Sequence, residues 1–497
     1  MHSQALLAAA VAAFQRGDLR QARRLAEAQL VGRSERLPLL QHLMGLIEAR
    51  AERASASAAL KRASEIDPDN LEIRVAYARL LADTGRTRDA LVQIEEGSRL
   101  ALEGMRDFSA DRVDAICELG LLLDRTNQVD DLRRLLRRAE ESGIAPQSFA
   151  LLHSSMALRE SEPEDAKRLL QSIPKHLRDG HWYRLMAKAA DSSGAVDEAF
   201  AAAQEMNRLA PDYEEWRRHA ARYRAQTRAT AQIVTPEWGA RIRPAAKSAQ
   251  TPAFLVGFPR SGTTLLDTFL MGHPNACVVE EGRMLELATG VLSKSPQADW
   301  PSSLVEQAHN VYLDELRTMV PAGFTGVIVD KHPLNMLRLA VIYALFPNAK
   351  VIFAQRHPCD VVLSGFMQSF QLNHAMANFL ELDDAADFYD AAMTMWSRSR
   401  AAVPLAIHTV VYESLIAEPG AQLRPVLEFL GLEWREEILD HQSIANRRGS
   451  ITTASYDQVI KPLTRAPCGR WRRYRNQLDP VIPLLLPWAG QLGYVAD

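Results

Sequence analysis

The sequence has little cysteine and no run of apolar residues long enough to cross a bilayer. Its four cysteines are scattered and show neither CxxC nor Cys/His ligand spacing, which argues against a disulfide framework or a structural zinc site. A membrane-spanning helix needs about 20 consecutive apolar residues. Reduced thiols and the lack of such a run predict a cytoplasmic protein with no membrane partner.

The sequence also lacks a surplus of one charge. Its 58 Lys and Arg residues nearly balance its 61 Asp and Glu residues, for a net charge of −3. This balance argues against nucleic acid as a partner, but it leaves room for one local anion pocket. The apolar run Ala5–Phe14 has no basic segment before it, so we expect no signal peptide. A chain of 497 residues predicts two or more domains.

The first half of the chain is repetitive, with a period near 34 residues that is typical of tetratricopeptide repeats. The pattern starts at six positions: Gly17, Ala51, Gly85, Asn127, Ser161 and Gly194. Each repeat is a helix–turn–helix unit, and stacked units complete one another's core and bind proteins or peptides. We therefore predict an all-α repeat solenoid over residues 1–225, with an insertion near residues 100–111, and a linker over 226–252. A generic amphipathic helical bundle is the alternative.

The second half, residues 253–497, changes to alternating strands and helices. Four short β-branched, apolar runs are predicted as strands: "AFLVG", "GVIVD", "KVIFAQ" and "HTVVYE". Helical stretches separate these runs, which predicts an α/β domain with a parallel sheet. In such sheets ligands bind at the carboxyl ends of the strands.

A glycine loop follows the first of these strands and resembles a phosphate-binding loop without its lysine. Gly257 and Gly262 have the required spacing, but Thr263 stands where a nucleotide triphosphatase has lysine. Backbone N–H groups at a helix N-terminus would hold an anion there. Side chains that can add to this cradle are Arg260, Ser261, Thr263 and Thr264.

A second anion site is predicted in "RHPCDVVLSGF", where Arg356 ends a strand and Ser364 lies in the next helix. A salt bridge between Arg356 and Asp360 is the structural alternative. Two explanations of the loop compete. A kinase-like enzyme would use Asp330 as its magnesium ligand, whereas a donor with one phosphate in the cradle would place a second anion at Arg356.

The two motifs "FPRSGTTLL" and "RHPCDVVLSGF" together resemble the paired signatures of the sulfotransferase family. This resemblance implies the donor 3′-phosphoadenosine 5′-phosphosulfate and no metal. The cradle, including Gly262, would hold the 5′-phosphosulfate, and Arg356 and Ser364 would hold the 3′-phosphate. Arg260 would also neutralise charge on the transferred group.

Within the family, the chain is most similar to the tyrosylprotein sulfotransferases. Segments that carry this similarity are "HP" at 273–274, "EEGR" at 280–283, "SYDQVIKPL" at 455–463 and "GRW" at 469–471. The resemblance implies Glu281 as the catalytic base, with Glu280 as the alternative, and Lys331 and Ser455 as contacts of the sulfuryl group. It also implies that Arg470 closes over the donor and that Arg283 contacts the acceptor.

The predicted function is therefore transfer of a sulfuryl group to a hydroxyl, most directly a protein or peptide tyrosine presented by the repeats. A homodimer is compatible with the resemblance. The sequence departs from the tyrosylprotein branch at Gln368, where that branch has arginine. Three alternatives stay open: a carbohydrate or small-molecule acceptor, a P-loop kinase, and a non-catalytic peptide-binding scaffold.

Overall fold

The computed structural model describes most of the chain, in nine stretches: residues 9–14, 19–30, 44, 55–84, 86–102, 109–245, 250–294, 300–447 and 459–495. Two compact units divide it. The first comprises Met1–Leu177, and the second comprises Arg178–Arg448 together with Thr453–Asp497.

The first unit is helical throughout its described parts. Its α-helices are α1 Leu19–Leu30, α2 Ser55–Ile66, α3 Leu71–Asp83, α4 Thr87–Leu102, α5 Ala110–Arg125, α6 Val129–Glu141, α7 Ala150–Arg159 and α8 Pro163–Gln171. Small residues let neighbouring helices approach closely: a Cβ at Gly120 would lie 2.5 Å from a methyl carbon of Leu152. The repeat starts at Asn127 and Ser161 fall between paired helices, and both have positive φ, as a tight turn requires. Starts at Gly17, Ala51 and Gly85 lie outside the described residues.

The second unit begins with helices and continues into the α/β fold. Its first helices are α9 Gly180–Ser192, α10 Val196–Arg208, α11 Tyr213–Ile233 and α12 Pro236–Gly239. The helices around the sheet are α13 Thr263–Met271, α14 Met284–Leu292, α15 Ser302–Met319, α16 Leu339–Leu345, α17 Pro358–Phe366, α18 Leu382–Ala402, α19 Tyr412–Ala417, α20 Pro419–Leu430, α21 His441–Arg447, α22 Arg475–Leu478 and α23 Ile482–Gln491.

Five parallel strands form the sheet in the order β2-β3-β1-β4-β5. The strands are β1 Ala253–Gly257, β2 Ala276–Glu280, β3 Val327–Lys331, β4 Lys350–Gln355 and β5 Ala406–Val411. The inner strands β1, β3 and β4 are mostly apolar and buried on both faces because helices cover both sides of the sheet, and the two charged residues at the end of β3 are buried as well. The prediction of a parallel α/β sheet is confirmed.

The sheet register decides which predicted residues meet. β1 has β3 on one side and β4 on the other, so the carboxyl ends of all three strands lie at one edge. Glu280, the last residue of β2, pairs with Lys331, the last residue of β3. The four predicted strands are present, whereas "ACVVE" (β2) is a fifth that the sequence analysis missed. The missed strand carries a carboxylate of the candidate site.

Helices α9 to α12 belong to the sheet-containing unit, although the sequence predicts them as the last repeat, a cap and a linker. Arg224 of α11 donates to Asn378 Oδ1 at 2.8 Å and forms an ion pair with Asp384 of α18 at 2.7 Å. Gly239 packs so closely on Ala402 that a Cβ would lie 1.9 Å from its carbonyl oxygen. The second compact unit thus begins at Arg178. The predicted domain boundaries at 225 and 253 remain predictions.

Candidate functional site

The glycine loop joins β1 to α13 and is buried at the sheet edge. Gly262 caps the helix with a φ of 96°, and a Cβ there would lie 2.5 Å from a ring carbon of Tyr412. Both its conformation and its close contact therefore require glycine. Thr263 and Thr264 open α13, and their side chains are buried. The backbone N–H groups of the first helical turn are the ones that a helix leaves without internal partners.

Arg260 lies in this loop in the left-handed region of the backbone, with a φ of 74°. Such a conformation is unfavourable for a residue other than glycine, and strained residues of this kind cluster at functional sites. The side chain is buried, and its Nε donates to Ser364 Oγ at 3.1 Å. Thus the loop residue and the helix residue, 104 positions apart in sequence, are in direct contact.

Arg356 directly follows β4 and lies beside the same loop, because β4 is hydrogen-bonded to β1. Its Nη1 donates to the carbonyl oxygen of Arg260 at 3.0 Å, and its Nη2 donates to that of Pro467 at 2.7 Å. The guanidinium carbon lies 4.6 Å from the centroid of the Tyr412 ring. These contacts hold the Arg356 side chain in place and bring Arg260, Arg356 and Ser364 into one buried pocket. The two anion sites that the sequence predicts are therefore adjacent, and their binding of a donor stays a prediction.

Two buried polar atoms in this pocket have no hydrogen-bond partner. They are Ser261 Oγ and Arg356 Nε, and the side chains are 3% and 5% exposed. A buried polar group without a partner costs about 1–3 kcal/mol. An N–H group of an arginine and a serine hydroxyl without partners are suited to bind an anion. The residues of this pocket therefore fit a donor that carries phosphate.

Asp360, the alternative salt-bridge partner of Arg356, accepts hydrogen bonds from the backbone. Its two carboxylate oxygens accept from the backbone N–H groups of Gly469 at 2.6 Å and Trp471 at 2.8 Å. Burial raises the pKa of Asp360, although Arg356 and these N–H groups act in the opposite direction. This carboxylate thus anchors the "GRW" segment to the helix that follows Arg356.

Arg470 lies in the anchored segment and points toward helix α9. Its Nε donates to Asp191 Oδ1 at 3.1 Å, and the same oxygen accepts from Arg473 Nη2 at 3.2 Å and from Tyr474 Oη at 2.7 Å. A further contact joins its Nη2 to Met367 Sδ at 2.9 Å, just beyond the end of α17. The proposed role of Arg470 in closing over the donor stays a prediction. Asp191 is a partner that the sequence analysis missed.

Lys331 is completely buried and lies against three carboxylates. Its Nζ is 3.0 Å from Glu280 Oε1, 3.0 Å from Glu281 Oε1 and 3.3 Å from Asp267 Oδ2. Burial alone would lower the pKa of Lys331, but the three carboxylates raise it above its ordinary value. The lysine is therefore a charged group at neutral pH. Asp267, on α13, is a second residue that the sequence analysis did not single out.

Glu281 differs from Glu280 in accessibility and in backbone conformation. Its side chain is 40% exposed, against 16% for Glu280. Its φ is 48°, and its backbone N–H donates to the carbonyl oxygen of Lys331 at 2.7 Å. Glu281 thus combines a strained backbone with a carboxylate that contacts Lys331 and is also open to solvent, and its role as catalytic base stays a prediction.

Other predicted residues lie around this cluster or outside the described parts. Arg283 is exposed and forms an ion pair with Glu286 at 3.1 Å, so the structure does not bring it to Lys331. His332 is a neutral group, because burial lowers its pKa to about 4. Ser455 lies outside the described residues, and its role stays a prediction.

Asp330 points to the other face of β3 from Lys331. It is completely buried, accepts from Tyr312 Oη at 2.8 Å, and has its pKa raised by burial to about 7. The arrangement is that of a core residue rather than of an exposed magnesium ligand. In the part of the chain that the structure describes, no three His, Cys, Asp or Glu side chains are grouped to hold a metal ion. That the reaction needs no metal stays a prediction.

Comparison with known families decides the class of this region. Residues 252–436 match the profile of the sulfotransferase family. The C-terminal region is a sulfotransferase domain. In the N-terminal helical region, residues 49–103 match a tetratricopeptide repeat. Both resemblances stated from the sequence are therefore confirmed at the level of domain type. Among the described helices, none is long and apolar enough to cross a membrane.

Relatives of the sulfotransferase domain are distant. An uncharacterized protein of Aquifex aeolicus is 27% identical over 398 residues, covering 74% of this chain and 50% of that protein. Protein-tyrosine sulfotransferase A of Caenorhabditis elegans is 26% identical, covering 48% of this chain and 66% of the relative. The sulfotransferase domain of the curacin biosynthetic pathway has 20% identity and a TM-score of 0.34, covering 50% of this chain and 100% of that domain. The chain thus spans about half of the length of the Aquifex aeolicus protein and about two thirds of that of the Caenorhabditis elegans protein.

Proposed function

We propose that this protein transfers a sulfuryl group from 3′-phosphoadenosine 5′-phosphosulfate to a tyrosine hydroxyl of a protein or peptide. The observation that carries the proposal is the direct contact of Arg260 with both Ser364 and Arg356 in one buried pocket. Two anion-binding motifs that meet in this way suit a donor with a phosphate at each end of its ribose. The protein-tyrosine sulfotransferases among the relatives support tyrosine as the acceptor.

In this proposal the residues at the loop bind the donor. Gly262, Thr263 and Thr264 begin α13, and their N–H groups and hydroxyls would hold the 5′-phosphosulfate with Ser261 and Arg260. Arg356 and Ser364 would hold the 3′-phosphate. When bound, the donor supplies an activated sulfuryl group whose leaving group is a phosphate. Arg260 would lower the cost of the charge that develops on this group.

The carboxylate cluster would act on the acceptor. Glu281 would accept the proton of the tyrosine hydroxyl as its oxygen bonds to sulfur and the bond from sulfur to the phosphate oxygen breaks. Lys331 would stabilise the negative charge on the sulfuryl oxygens and on the departing oxygen. Such a reaction depends on positioning and charge stabilisation, much as phosphoryl transfer does. It needs no covalent enzyme intermediate.

Two experiments test the proposal in order. Adenosine 3′,5′-bisphosphate should raise the melting temperature of the full chain, because a ligand that binds only the folded state stabilises it. Labelled donor should then transfer its label to a tyrosine-containing peptide library with the wild type and not with Glu281→Ala. Absence of any melting shift, together with equal labelling by both proteins on every acceptor class, would reject the proposal.

A further inference from the structure

The three carboxylates around Lys331 are not equivalent. Asp267 is completely buried, Glu280 is 16% exposed, and Glu281 is 40% exposed. Of the three, Glu281 has the freest path to an acceptor outside the sheet. Asp267 is enclosed by the core and has no comparable path. Glu281 is therefore suited to contact a substrate, whereas Asp267 is suited to interact with Lys331.

Asp267 also belongs to a rigid part of the site. It lies on α13, one turn after the glycine loop, and the helix is buried from Thr263 to Leu270. Next to it, Thr268 Oγ1 donates to the carbonyl oxygen of Thr264 at 2.7 Å, which ties this turn to the start of the helix. The carboxylate of Asp267 thus keeps a fixed position relative to the loop, and its ion pair fixes Lys331 relative to the same loop.

We propose that Asp267 is a positioning residue that keeps Lys331 charged and directed at the transferred group while Glu281 takes up the proton of the acceptor. The inference rests on the proposed function, which assigns Glu281 and Lys331 their roles. In the transfer, the acceptor oxygen bonds to sulfur, the bond from sulfur to the phosphate oxygen breaks, and the acceptor's proton moves to Glu281. The negative charge of Glu281 is thereby lost beside a buried ammonium, and Asp267 and Glu280 remain as its counter-ions.

The electrostatics of the cluster explain why a fixed counter-ion is needed. A buried ammonium is costly unless it is paired. The titratable groups that face Lys331 are Asp267 from α13, Glu280 from β2, Glu281 after β2, and His332 from its own segment. Burial lowers the pKa of Lys331 and the carboxylates raise it. Removing the charge of Asp267 should therefore move this pKa downward.

The first test is the pH–rate profile of Asp267→Asn in the full chain. We expect kcat to fall by about tenfold near neutral pH, with the KM for the donor changed by less than about twofold. On the alkaline side, activity should be lost at a lower pH than in the wild type, because the lysine deprotonates sooner. A residue with a purely structural role would lower the amount of folded enzyme without moving this limb.

The second test needs no substrate. A lysine whose pKa is raised on folding contributes stability that is fully present below its unfolded value of 10.5 and is lost as the pH rises through the folded value. The wild type should therefore hold this contribution up to about pH 10.5 and lose it as the pH rises further. In Asp267→Asn the pKa is raised less on folding, so the contribution is smaller: its melting temperature should lie below that of the wild type up to about pH 10.5, and the difference should narrow above that pH.

Two matched variants control these tests. Asp267→Glu keeps the charge at the same position and should restore the alkaline limb, even if the extra methylene lowers the melting temperature. Asp330→Asn also removes a buried carboxyl, on the opposite face of the same strand, and should leave the alkaline limb unchanged. Asp330→Asn also differs in its pH dependence. The wild type loses stability as the pH rises from about 4 to 7, because the pKa of the buried Asp330 carboxyl is about 7. The variant has no carboxyl to ionise there and should not show this loss.

The double variant with Lys331→Met covers the case in which Asp267→Asn does not fold, because it removes the ammonium that has lost its counter-ion and should fold. Where both single variants fold, the double variant should be more stable than the sum of the single effects predicts, if Asp267 acts through Lys331. An additive cycle, or a double variant that also fails to fold, would overturn the inference. So would an alkaline limb that Asp267→Asn leaves in place. A failure of the proposed function looks different, because bisphosphate would then give no melting shift in the wild type.

Discussion

The two pockets at the sheet edge differ in the charge that surrounds their cations. Arg356 donates to two carbonyl oxygens and lies on an aromatic ring, and its Nε has no partner. Lys331, by contrast, lies against three carboxylates. An arginine with an N–H group that has no partner can bind an anionic ligand. A lysine whose charge is balanced by carboxylates suits a site where one of those carboxylates takes up a proton. Under the proposed function, this difference suits binding of the donor in one pocket and chemistry in the other.

The largest effect that separates the two pockets should come from Glu281→Gln. The change keeps the shape of the side chain but removes its basicity, so transfer should fall by about a thousandfold, within the range typical for a general base. Binding of adenosine 3′,5′-bisphosphate, measured by calorimetry, should be unchanged, since the other pocket is intact. Weaker binding of the bisphosphate would show that the pockets do not divide the tasks in this way.

Arg356→Ala should have the reverse effect. It removes a buried guanidinium from the donor pocket, and we expect affinity for the bisphosphate to fall by about a hundredfold, or about 2.7 kcal/mol. Arg356→Lys is the matched control, because it keeps the charge but loses the fork that reaches both Arg260 and Pro467. Full affinity in the alanine variant would remove Arg356 from the donor site.

Ser364→Ala should have a smaller effect on the same pocket. The hydroxyl accepts from Arg260 Nε, so its loss removes one contact to the ligand and one to the arginine. We expect bisphosphate affinity to fall by about five- to tenfold, which corresponds to roughly 1–1.4 kcal/mol. Ser399→Ala, which removes a buried hydroxyl of α18, is a suitable control for general damage to the fold. An equal loss in both variants would speak against a specific role for Ser364.

Arg283→Ala should have the smallest effect on stability. The ion pair with Glu286 is exposed at both ends, and such pairs contribute about 0–1 kcal/mol. Thermal unfolding should therefore change little, and the KM for the acceptor peptide should rise by a few fold if Arg283 contacts the acceptor. An unchanged KM would limit the acceptor contacts to the residues beside Lys331.

The sequence predicted the grouping of residues around the glycine loop better than the carboxylate cluster, and the reason is local. Gly257, Gly262, Arg356 and Ser364 are set by short-range rules, namely a tight loop before a helix and a strand end before the next helix. The cluster depends on pairing between β2 and β3, and β2 ("ACVVE") is a half-buried edge strand whose pattern is weaker than that of a buried inner strand. Asp267 was not recognised because a carboxylate inside an apolar helix gives no sign of the lysine that faces it from another strand.

The helices before the sheet also show that sequence patterns do not report contacts between distant parts of the chain. Repeat periodicity predicts α9 and α10 as a helical pair, which they are. Periodicity cannot report that Asn207 of α10 donates to the carbonyl oxygens of Phe366 at 3.0 Å and Phe379 at 3.2 Å. These contacts join residues more than 150 positions apart, and only the folded chain brings them together. The extent of the sheet-containing unit was therefore not predictable from the repeat pattern.

Calorimetry with adenosine nucleotides tests the central claim most directly. If Arg260 and Arg356 bind the two phosphate-bearing ends of one donor, adenosine 3′,5′-bisphosphate should bind at least about tenfold more tightly than either adenosine monophosphate. Adenosine 3′-monophosphate and adenosine 5′-monophosphate each lack one of the two phosphates. Equal affinities for the three nucleotides, or a preference for ATP that depends on magnesium, would contradict the account.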